Sequence, residues 1–560
     1  MTAAGSTLPD SLHGRVSQQA QRWPERIALK FRQQQLSYRQ LDTLANNRAQ
    51  QLQADGVKAG DLVALLLPRG LELVIELLAV LKAGAGYVPL DPNYPTERVD
   101  WMINAAKPVL VITQPAIARL LWQDEVPPAF SDKIRWLSHS PDAPGQSAKP
   151  DVATPGAAQT PPAITFQALA VAYVIFTSGS TGNPKGVLIG HQQVLTLLDA
   201  VTPQLGCDHT DSWTLFHSLA FDFSVWELWG ALTTGGQLII VPQEIAWSAE
   251  AFASLLRTEQ VTMLNQTPSA FYQLLNSEEH RLTRDAQPLR LRQVIFGGEA
   301  LNMSQIKRWW ALYPEGQPRL INMYGITETT VHVTWLELTQ AMASLDGSPI
   351  GSAISSLSLH LLDKQLMPVA DGCVGEIYVS GMQLAHGYLA RPDLTASRFI
   401  ANPTQPGQRL YRSGDLAIRR DGQLLYLGRA DRQLKIRGFR IEPAEIESAL
   451  ASHPAIQRCA LLALPSDTTG AAEELLACLV VKPTAGPPPV PAELRQFLAR
   501  TLPVHCIPTA FLVIADLPLT VNGKLDQAAL LALWRSRQQD AQQQRLNVLH
   551  TRLAATAKPI

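Results

Sequence analysis

Tyr173-Val-Ile-Phe-Thr-Ser-Gly-Ser-Thr-Gly-Asn-Pro-Lys-Gly-Val-Leu-Ile189 is the stretch from which the rest of the chain is read. The apolar run Tyr173 to Phe176 predicts a short buried strand, and Val187 to Ile189 predicts a second. Between them Thr177, Ser178, Gly179, Ser180, Thr181 and Gly182 are all Gly, Ser or Thr, and Lys185 follows. Small residues leave backbone N–H groups open, and hydroxyls add donors. Such a loop can wrap an anionic phosphate with Lys185 as the counter-charge. It is not a Walker A loop, because Pro184 precedes the lysine and Gly186 follows it. An exposed hairpin would share the glycines and serines; the flanking strands and the lysine favour phosphate contact.

At 560 residues the chain exceeds one core, so two or more domains are expected. Forty-seven basic against 48 acidic residues leave a net charge of −1, which gives no electrostatic case for nucleic acid or an anionic membrane. The five cysteines are scattered without a Cys-x-x-Cys, so neither a disulfide frame nor a zinc site is expected, and a reducing cytoplasm fits. Met1 to Pro9 lacks the basic start and apolar core of a signal peptide. The apolar run Leu73 to Val80 is broken by Glu76 and is far too short to span a bilayer.

Working outward, helical and strand patterns alternate, which predicts α/β layering. Ile27 to Phe31 and Leu62 to Leu67 read as strands, and Ser37 is placed to cap a helix. Residues 138–163, rich in Pro, Ala, Ser and Gly, read as a solvent loop. Gly375 to Gly381 has the alternation of a half-exposed antiparallel strand. After Asp431 the pattern shrinks to a small α+β unit with a helix from about Pro443 to Ser452. Beyond Leu533 the chain is rich in Gln and Arg, with Leu546, Leu549 and Leu553 at helical spacing, and reads as a solvated helix or linker.

Thr177 to Gly186 resembles the phosphate loop of the adenylate-forming enzymes. Further motifs follow in that superfamily's order: Phe221-Asp-Phe-Ser-Val-Trp-Glu227, Asn322-Met-Tyr-Gly-Ile-Thr-Glu-Thr-Thr330, Tyr411-Arg-Ser-Gly-Asp-Leu416, Gly428-Arg-Ala-Asp-Arg-Gln-Leu-Lys-Ile-Arg-Gly438 and Pro518-Leu-Thr-Val-Asn-Gly-Lys524. From about residue 20 to 530 the chain is similar to the adenylation domains of nonribosomal peptide synthetases. The resemblance implies an α/β multidomain protein: a large N-terminal adenylate-forming domain (1–430) with layered sheets and helices, a smaller mobile α+β C-terminal domain (431–533), and a tail (534–560). Ile326 stands where the family has proline, and Leu502-Pro-Val-His-Cys-Ile-Pro508 departs from the family's pattern; neither change removes a reacting group.

The resemblance also implies roles. Adenylation joins a carboxylate to the α-phosphate of ATP and expels pyrophosphate, so the site needs cations and oriented donors. Glu328 would hold Mg²⁺ and Thr327 would touch the α-phosphate. Tyr324 would stack on adenine, with Asn322 and the backbone of Gly298, Glu299 and Ala300 along its edge. Asp415 would bind the ribose hydroxyls, assisted by Arg429. Lys524 would bridge substrate and ribose oxygens. His217 would lie beside the reacting groups, where a core histidine is the competing reading. Asp431 matches the hinge about which the small domain turns, bringing in the face from Lys435 to Arg440 and admitting a phosphopantetheine thiol.

Asp222 matches the acid that pairs with the α-ammonium in amino-acid-activating members; a helix N-cap is the alternative reading. The remaining specificity positions are Phe223, Trp226, Asn265, Ile295, Gly297, Met323, Val331 and His332, a set that resembles the threonine pattern. Gly297 leaves room, the apolar residues meet a methyl, and Asn265 and His332 can bond a hydroxyl. The expected partners are threonine and a separate carrier protein, with or without an MbtH-like activator, and the chain is expected to be monomeric. Serine is the nearest alternative substrate. An acyl- or aryl-CoA ligase and a non-catalytic nucleotide-binding module are the rival functions.

Overall fold

The structure is a computed structural model that describes residues 11–123, 125–137, 170–179, 183–282, 287–345, 347–465, 472–483, 487–518 and 525–556. Residues 138–163, Ser180, Thr181, Gly182 and Lys524 lie outside the described residues. By internal contacts the chain forms two units. One runs to Ser178 and from Pro184 to Arg440; the other is Gly179–Asn183 with the chain from Ile441 onward. Among the described residues no helix is long and apolar enough to cross a membrane.

The larger unit is built on two mostly parallel sheets and one antiparallel sheet. The nine-stranded sheet runs, in spatial order, Ser352–Ala353, Thr334–Glu337, Arg319–Asn322, Gln293–Phe296, Met263–Gln266, Ser212–Leu215, Gln237–Ile240, Ile27–Phe31 and Gln34–Ser37. The seven-stranded sheet runs Gly387–Tyr388, Lys185–Gly190, Val171–Thr177, Gly86–Pro89, Leu62–Leu66, Leu110–Thr113 and Ile134–Trp136. Alternating strand residues explain the layering. Val63 and Leu65 face one core while Ala64 and Leu66 face another. Leu238 and Ile240 join the same core as Val63, whereas Ile239 and Val241 face a third. That shared core holds the helices Tyr38–Ala54, Leu71–Lys82, His191–Leu205 and Phe223–Thr234 between the two sheets. Both parallel sheets are thus covered on both faces, as their continuous apolar runs demand.

Local signals account for the elements. Ser37 caps Tyr38–Ala54, and its side chain and that of Gln40 form a reciprocal capping box. Helix Phe223–Thr234 lies close on strand Ser212–Leu215 because Gly230 has no side chain: a Cβ there would sit 2.7 Å from the Trp213 ring. The loop strands form an antiparallel hairpin that pairs Thr177 with Lys185 and Phe176 with Gly186, with the second strand longer than its apolar core, spanning Lys185–Gly190.

One expectation is corrected. Val374–Gly381 is antiparallel but not half-exposed: Ile377 and Val379 enter the main core, while Tyr378 packs with Leu362 and Leu410 on the other face. That small second cluster covers the face that the alternation assigns to solvent.

The smaller unit carries helix Pro443–Ala451, strands Ile456–Pro465, Ala472–Val481 and Ala510–Val513 in one sheet, and helix Pro491–Leu498. The tail begins as part of a single helix, Gln527–Thr556, whose Leu530 is buried against the sheet residues Leu462, Leu476 and Leu512.

Glu76 is a cost inside the large core. Its side chain is fully buried, neither oxygen accepts a hydrogen bond, and the cation paired with it is Arg48, at 3.3 Å, with a weaker contribution from Arg135. Burial raises its pKa to about 7, with Arg48 opposing. A carboxyl whose folded pKa is raised stabilises the fold below its unfolded pKa, and that contribution is lost as pH climbs toward 7. Glu76→Gln is therefore expected to be near neutral at pH 5 and to stabilise by about 2–3 kcal/mol at pH 8. Urea denaturation of both proteins at the two pH values checks this; an equal effect at both would refute it.

Candidate active site

The parallel strands deliver most of the candidate residues at their C-terminal ends, where ligands gather in open α/β sheets. Asn265 and Ile295 are neighbours across the Met263–Gln266/Gln293–Phe296 pair, and Asn322 pairs with Phe296. Gly297, Gly298, Met323 and Tyr324 follow directly in the chain.

Glu328 is the electrostatic centre. Its side chain is fully buried in a short turn, Thr327–Thr329. Arg440 Nη1 donates to one oxygen at 2.8 Å, and Tyr388 Oη donates to the other at 2.7 Å. Lys185 Nζ lies 3.2 Å from that second oxygen and 4.9 Å above the Tyr388 ring. Burial alone would raise the carboxyl's pKa, but Arg440 and Lys185 hold it well below the usual range. Strand pairing places Lys185 here: Gly387–Tyr388 is hydrogen-bonded to Lys185–Gly190. Among the described residues no three His, Cys, Asp or Glu side chains cluster to cage a metal.

A second charged chain lies alongside. Asp415, fully buried, accepts from Tyr324 Oη at 2.5 Å, Tyr426 Oη at 3.3 Å and Arg429 Nη1 at 3.1 Å. Arg429 also holds Asp431 through two bonds of 2.9 and 2.7 Å. Asp415, Arg429 and Asp431 are therefore one ion network. Lys435 Nζ sits 5.5 Å from the Tyr324 ring and 5.6 Å from the Tyr426 ring, in cation–π contact with both. With that side chain in place, the cleft lined by Gly298, Glu299, Asn322, Tyr324 and Tyr426 holds only about 10 Å³, room for one water. Glu299 accepts from Ser269 N at 2.9 Å and Gly438 N at 2.5 Å, and Asn322 donates to Pro349 O at 2.7 Å. Ala300 follows Glu299 in the chain, is exposed, and is not among the residues that line this cleft. Ser178 Oγ donates to Arg440 O at 2.6 Å. The segment from Leu434 to Arg440 is thus seated on this site.

The amino-acid-pocket candidates come together on the other side of Glu328. Asp222 occupies the N-cap position of Phe223–Thr234 but makes no side-chain cap bond, so the capping role does not explain it. It is buried, it is hydrogen-bonded by Thr327, and desolvation raises its pKa to about 6. Phe223 stacks on His217 at 4.7 Å and meets the His332 ring edge-on at 5.4 Å. Trp226 donates to Asn265 Oδ1 at 2.9 Å, which leaves Asn265 Nδ2 buried with no partner. His332 Nε2 is likewise buried without a partner, and burial pushes this imidazole down to about 3, so it is neutral. Ile295 and Met323 are fully buried, and a Cβ on Gly297 would lie 3.3 Å from the Phe223 ring.

Thr330 and Val331 carry φ values of 60° and 64°. Both are β-branched, so each position is strained, at about 1–3 kcal/mol. His217 is buried with Nδ1 3.2 Å from Glu227 Oε1, and Glu227 Oε2 accepts from His217 N at 3.0 Å. A cavity of about 350 Å³, lined by Leu65, Leu90, Leu215 and Ser218, opens beside it. Ile326 has φ −147°, which a proline locked near −65° could not adopt.

Sequence reasoning gave Tyr388 and Tyr426 no role: their partners lie 60 and 11 residues away, and no local motif marks them. Glu227 closes the Phe221–Glu227 motif, but nothing in that motif says that it meets His217. Lys435 does stand inside the Gly428–Gly438 motif and Arg440 two residues past it, but nothing local says that they meet the Tyr324 and Tyr426 rings and Glu328.

Comparison with known proteins gives the family. The family model described as AMP-binding enzyme matches residues 16–389, and the AMP-binding enzyme C-terminal domain matches residues 445–524. The dimodular nonribosomal peptide synthase of Bacillus subtilis (strain 168) is 48% identical over 512 residues, 91% of this chain and 21% of that protein. The chain thus spans about a fifth of that relative's length. Syringomycin synthase SyrB1 of Pseudomonas syringae pv. syringae is 38% identical over 538 residues, 95% of this chain and 83% of that protein. Among solved structures, holo-PA1221, an NRPS protein containing adenylation and PCP domains, superposes with a TM-score of 0.76 at 27% identity, covering 94% of this chain and 85% of that one. NpsA-ThdA, an artificially fused adenylation–PCP di-domain from Klebsiella oxytoca, gives 0.74 at 28% identity, covering 90% and 94%. The chain belongs to the AMP-binding enzymes: it is an adenylation domain of the nonribosomal peptide synthetase type, and so a ligase.

Proposed function

We propose that this enzyme activates L-threonine, giving threonyl-AMP and pyrophosphate from ATP, and then passes the threonyl group to the phosphopantetheine thiol of a carrier protein. One observation carries the substrate reading. Inside an otherwise apolar wall, Asn265 Nδ2 and His332 Nε2 are buried without partners. Unpaired buried polar atoms are costly, and a β-hydroxyl placed between them would satisfy both, accepting from Asn265 and donating to a neutral His332. Phe223, Trp226 and Met323 offer contact for the methyl, so serine fits less well. Asp222 supplies the counter-charge for the α-ammonium, which an aryl or fatty acid lacks; this favours an amino acid over a CoA-ligase substrate.

The surrounding residues suit adenylation. Lys185 and the Thr177–Gly182 loop are assigned to the phosphates, Tyr324 and Asn322 to adenine, and Asp415 with Arg429 to the ribose. Glu328 is the residue that would hold Mg²⁺, which when bound would neutralise phosphate charge. A single carboxylate fits an ion that takes its other ligands from phosphates and water. Thr327, bonded to Asp222, joins the phosphate and ammonium subsites. Lys524 is assigned the bridging role in adenylation, with Asp431 as the hinge by which it leaves. The cavity beside His217 is the route we assign to the incoming thiol. Two solved relatives that carry adenylation and PCP domains together support a carrier as acceptor.

ATP–pyrophosphate exchange across the amino acids tests the substrate: threonine is expected to be fastest, with 2-aminobutyrate slower by about 10²-fold or more. Valine or an aryl acid outpacing threonine would overturn the reading. Asp222 must be ionised to meet the ammonium. With its pKa raised to about 6, kcat/KM for threonine is expected to fall about tenfold per pH unit below 6. A profile flat down to pH 4.5 would show that Asp222 does not carry this charge. Glu328→Gln leaves Lys185 and Arg440 as buried cations without their anion. It should lose about 3 kcal/mol in urea denaturation, as well as exchange activity; full stability in that variant would contradict the ion cluster described above.

A further inference from the structure

Val331 and His332 line the substrate pocket from a backbone that resists being held there. His332 N donates to Thr330 O at 2.8 Å, closing a γ-turn over Val331, whose φ is 64°. γ-turns with a positive central φ are rare, and a β-branched residue at the centre makes the conformation less favourable still. Something other than local preference must hold it. Part of the answer is Gly325: a Cβ there would lie 1.6 Å from Val331 O, so its absence admits the turn. Room alone does not fix a conformation.

The fixing contacts come from Gln383, fully buried in the loop after Val374–Gly381. Its Nε2 faces three carbonyls of this one loop: His332 O at 3.1 Å, Thr329 O at 3.3 Å and Thr330 O at 3.4 Å. Thr330 Oγ1 donates back to Gln383 O at 2.7 Å, and Ser356 Oγ donates to Gln383 Oε1, which fixes the amide's orientation. Four contacts therefore tie the turn to Gln383, with the two amide hydrogens shared among three carbonyls, and the Ser356 bond holds Gln383 itself. Gln383 lines neither the cleft beside Tyr324 nor the cavity beside His217.

We propose that Gln383 is a specificity-positioning residue: by tying up the carbonyls of Thr329, Thr330 and His332 it holds the strained turn that aims His332 and Val331 at the substrate side chain. Without its amide donors, buried carbonyls lose their partner and the turn relaxes toward negative φ, carrying the His332 imidazole out of line. The loss falls on amino-acid selection. ATP contacts lie on other segments, apart from those of Thr327 and Glu328, which keep their own bonds to Asp222, Lys185, Arg440 and Tyr388.

The proposal rests on the amino-acid-activating reading of the same pocket. Its test is pyrophosphate exchange with threonine, serine and 2-aminobutyrate in Gln383→Leu and Gln383→Glu, alone and with His332→Ala. The leucine variant removes all polar atoms. The glutamate variant keeps the volume and the Ser356 bond but turns an acceptor toward the carbonyls, so the question stays answerable should the leucine variant not fold. We expect the threonine KM to rise about tenfold or more, the threonine-to-2-aminobutyrate ratio to fall by a similar factor, and the ATP KM to stay within about twofold. Added to His332→Ala, either change should lower that ratio little further. A lowered melting temperature with an unchanged ratio would make Gln383 merely structural and overturn the proposal. So would an ATP KM rising in step with that of threonine, or a glutamate variant as selective as the parent. If the parent enzyme selects a different amino acid, the threonine reading fails on that result alone, and the ratio of that amino acid to its nearest competitor becomes the readout for Gln383.

Discussion

The large unit depends on how one buried charge is kept. Glu328 has no access to solvent and is ionised, which its surroundings permit because Arg440, Lys185 and Tyr388 converge on its two oxygens. Each partner comes from a different element: a strand that starts at Lys185, a two-residue strand that ends at Tyr388, and the segment that ends at Arg440. The charge therefore fixes their mutual placement, and with it the hairpin whose loop is assigned to phosphate.

The same cations explain the conformation. With Arg440 on Glu328 and Lys435 between Tyr324 and Tyr426, the segment from Leu434 to Arg440 neutralises the carboxylates assigned to magnesium and ribose. In this arrangement the site holds its own cations against its own anions. The cleft beside Tyr324 is correspondingly reduced to the space of a single water. Seating this segment and filling the cleft proposed for adenine call on the same side chains.

The pocket proposed for the amino acid obeys a different constraint. Its wall is largely apolar, and two of its polar atoms, Asn265 Nδ2 and His332 Nε2, are left unpaired. Trp226 uses up the acceptor of Asn265, so the amide presents only donors, and burial keeps His332 neutral. These atoms are worth something only if their backbone is held, and that backbone includes two β-branched residues at positive φ. The strain is local, while its support is tertiary, coming from Gly325, Gln383 and Ser356.

Much was legible from the sequence alone. Strand and helix patterns gave the α/β layering because apolar alternation and capping are local properties, as at Val63–Leu66 and Ser37. The phosphate loop and the Asn322–Thr330 motif could be picked out because their chemistry sits in consecutive residues. What only the tertiary structure decided is which charges meet and which are left over. Val374–Gly381 reads as half-exposed until Leu362 and Leu410 are seen to cover its second face. Asp222 keeps a helix cap as its alternative reading until its side chain is seen to make no cap bond. Tyr388, Tyr426 and Gln383 carry no motif, since their partners lie 60, 11 and about 50 residues away. Periodicity and short motifs record what a residue does for its own segment; hydrogen bonds and ion pairs between distant segments exist only once the chain has brought them within about 3 Å.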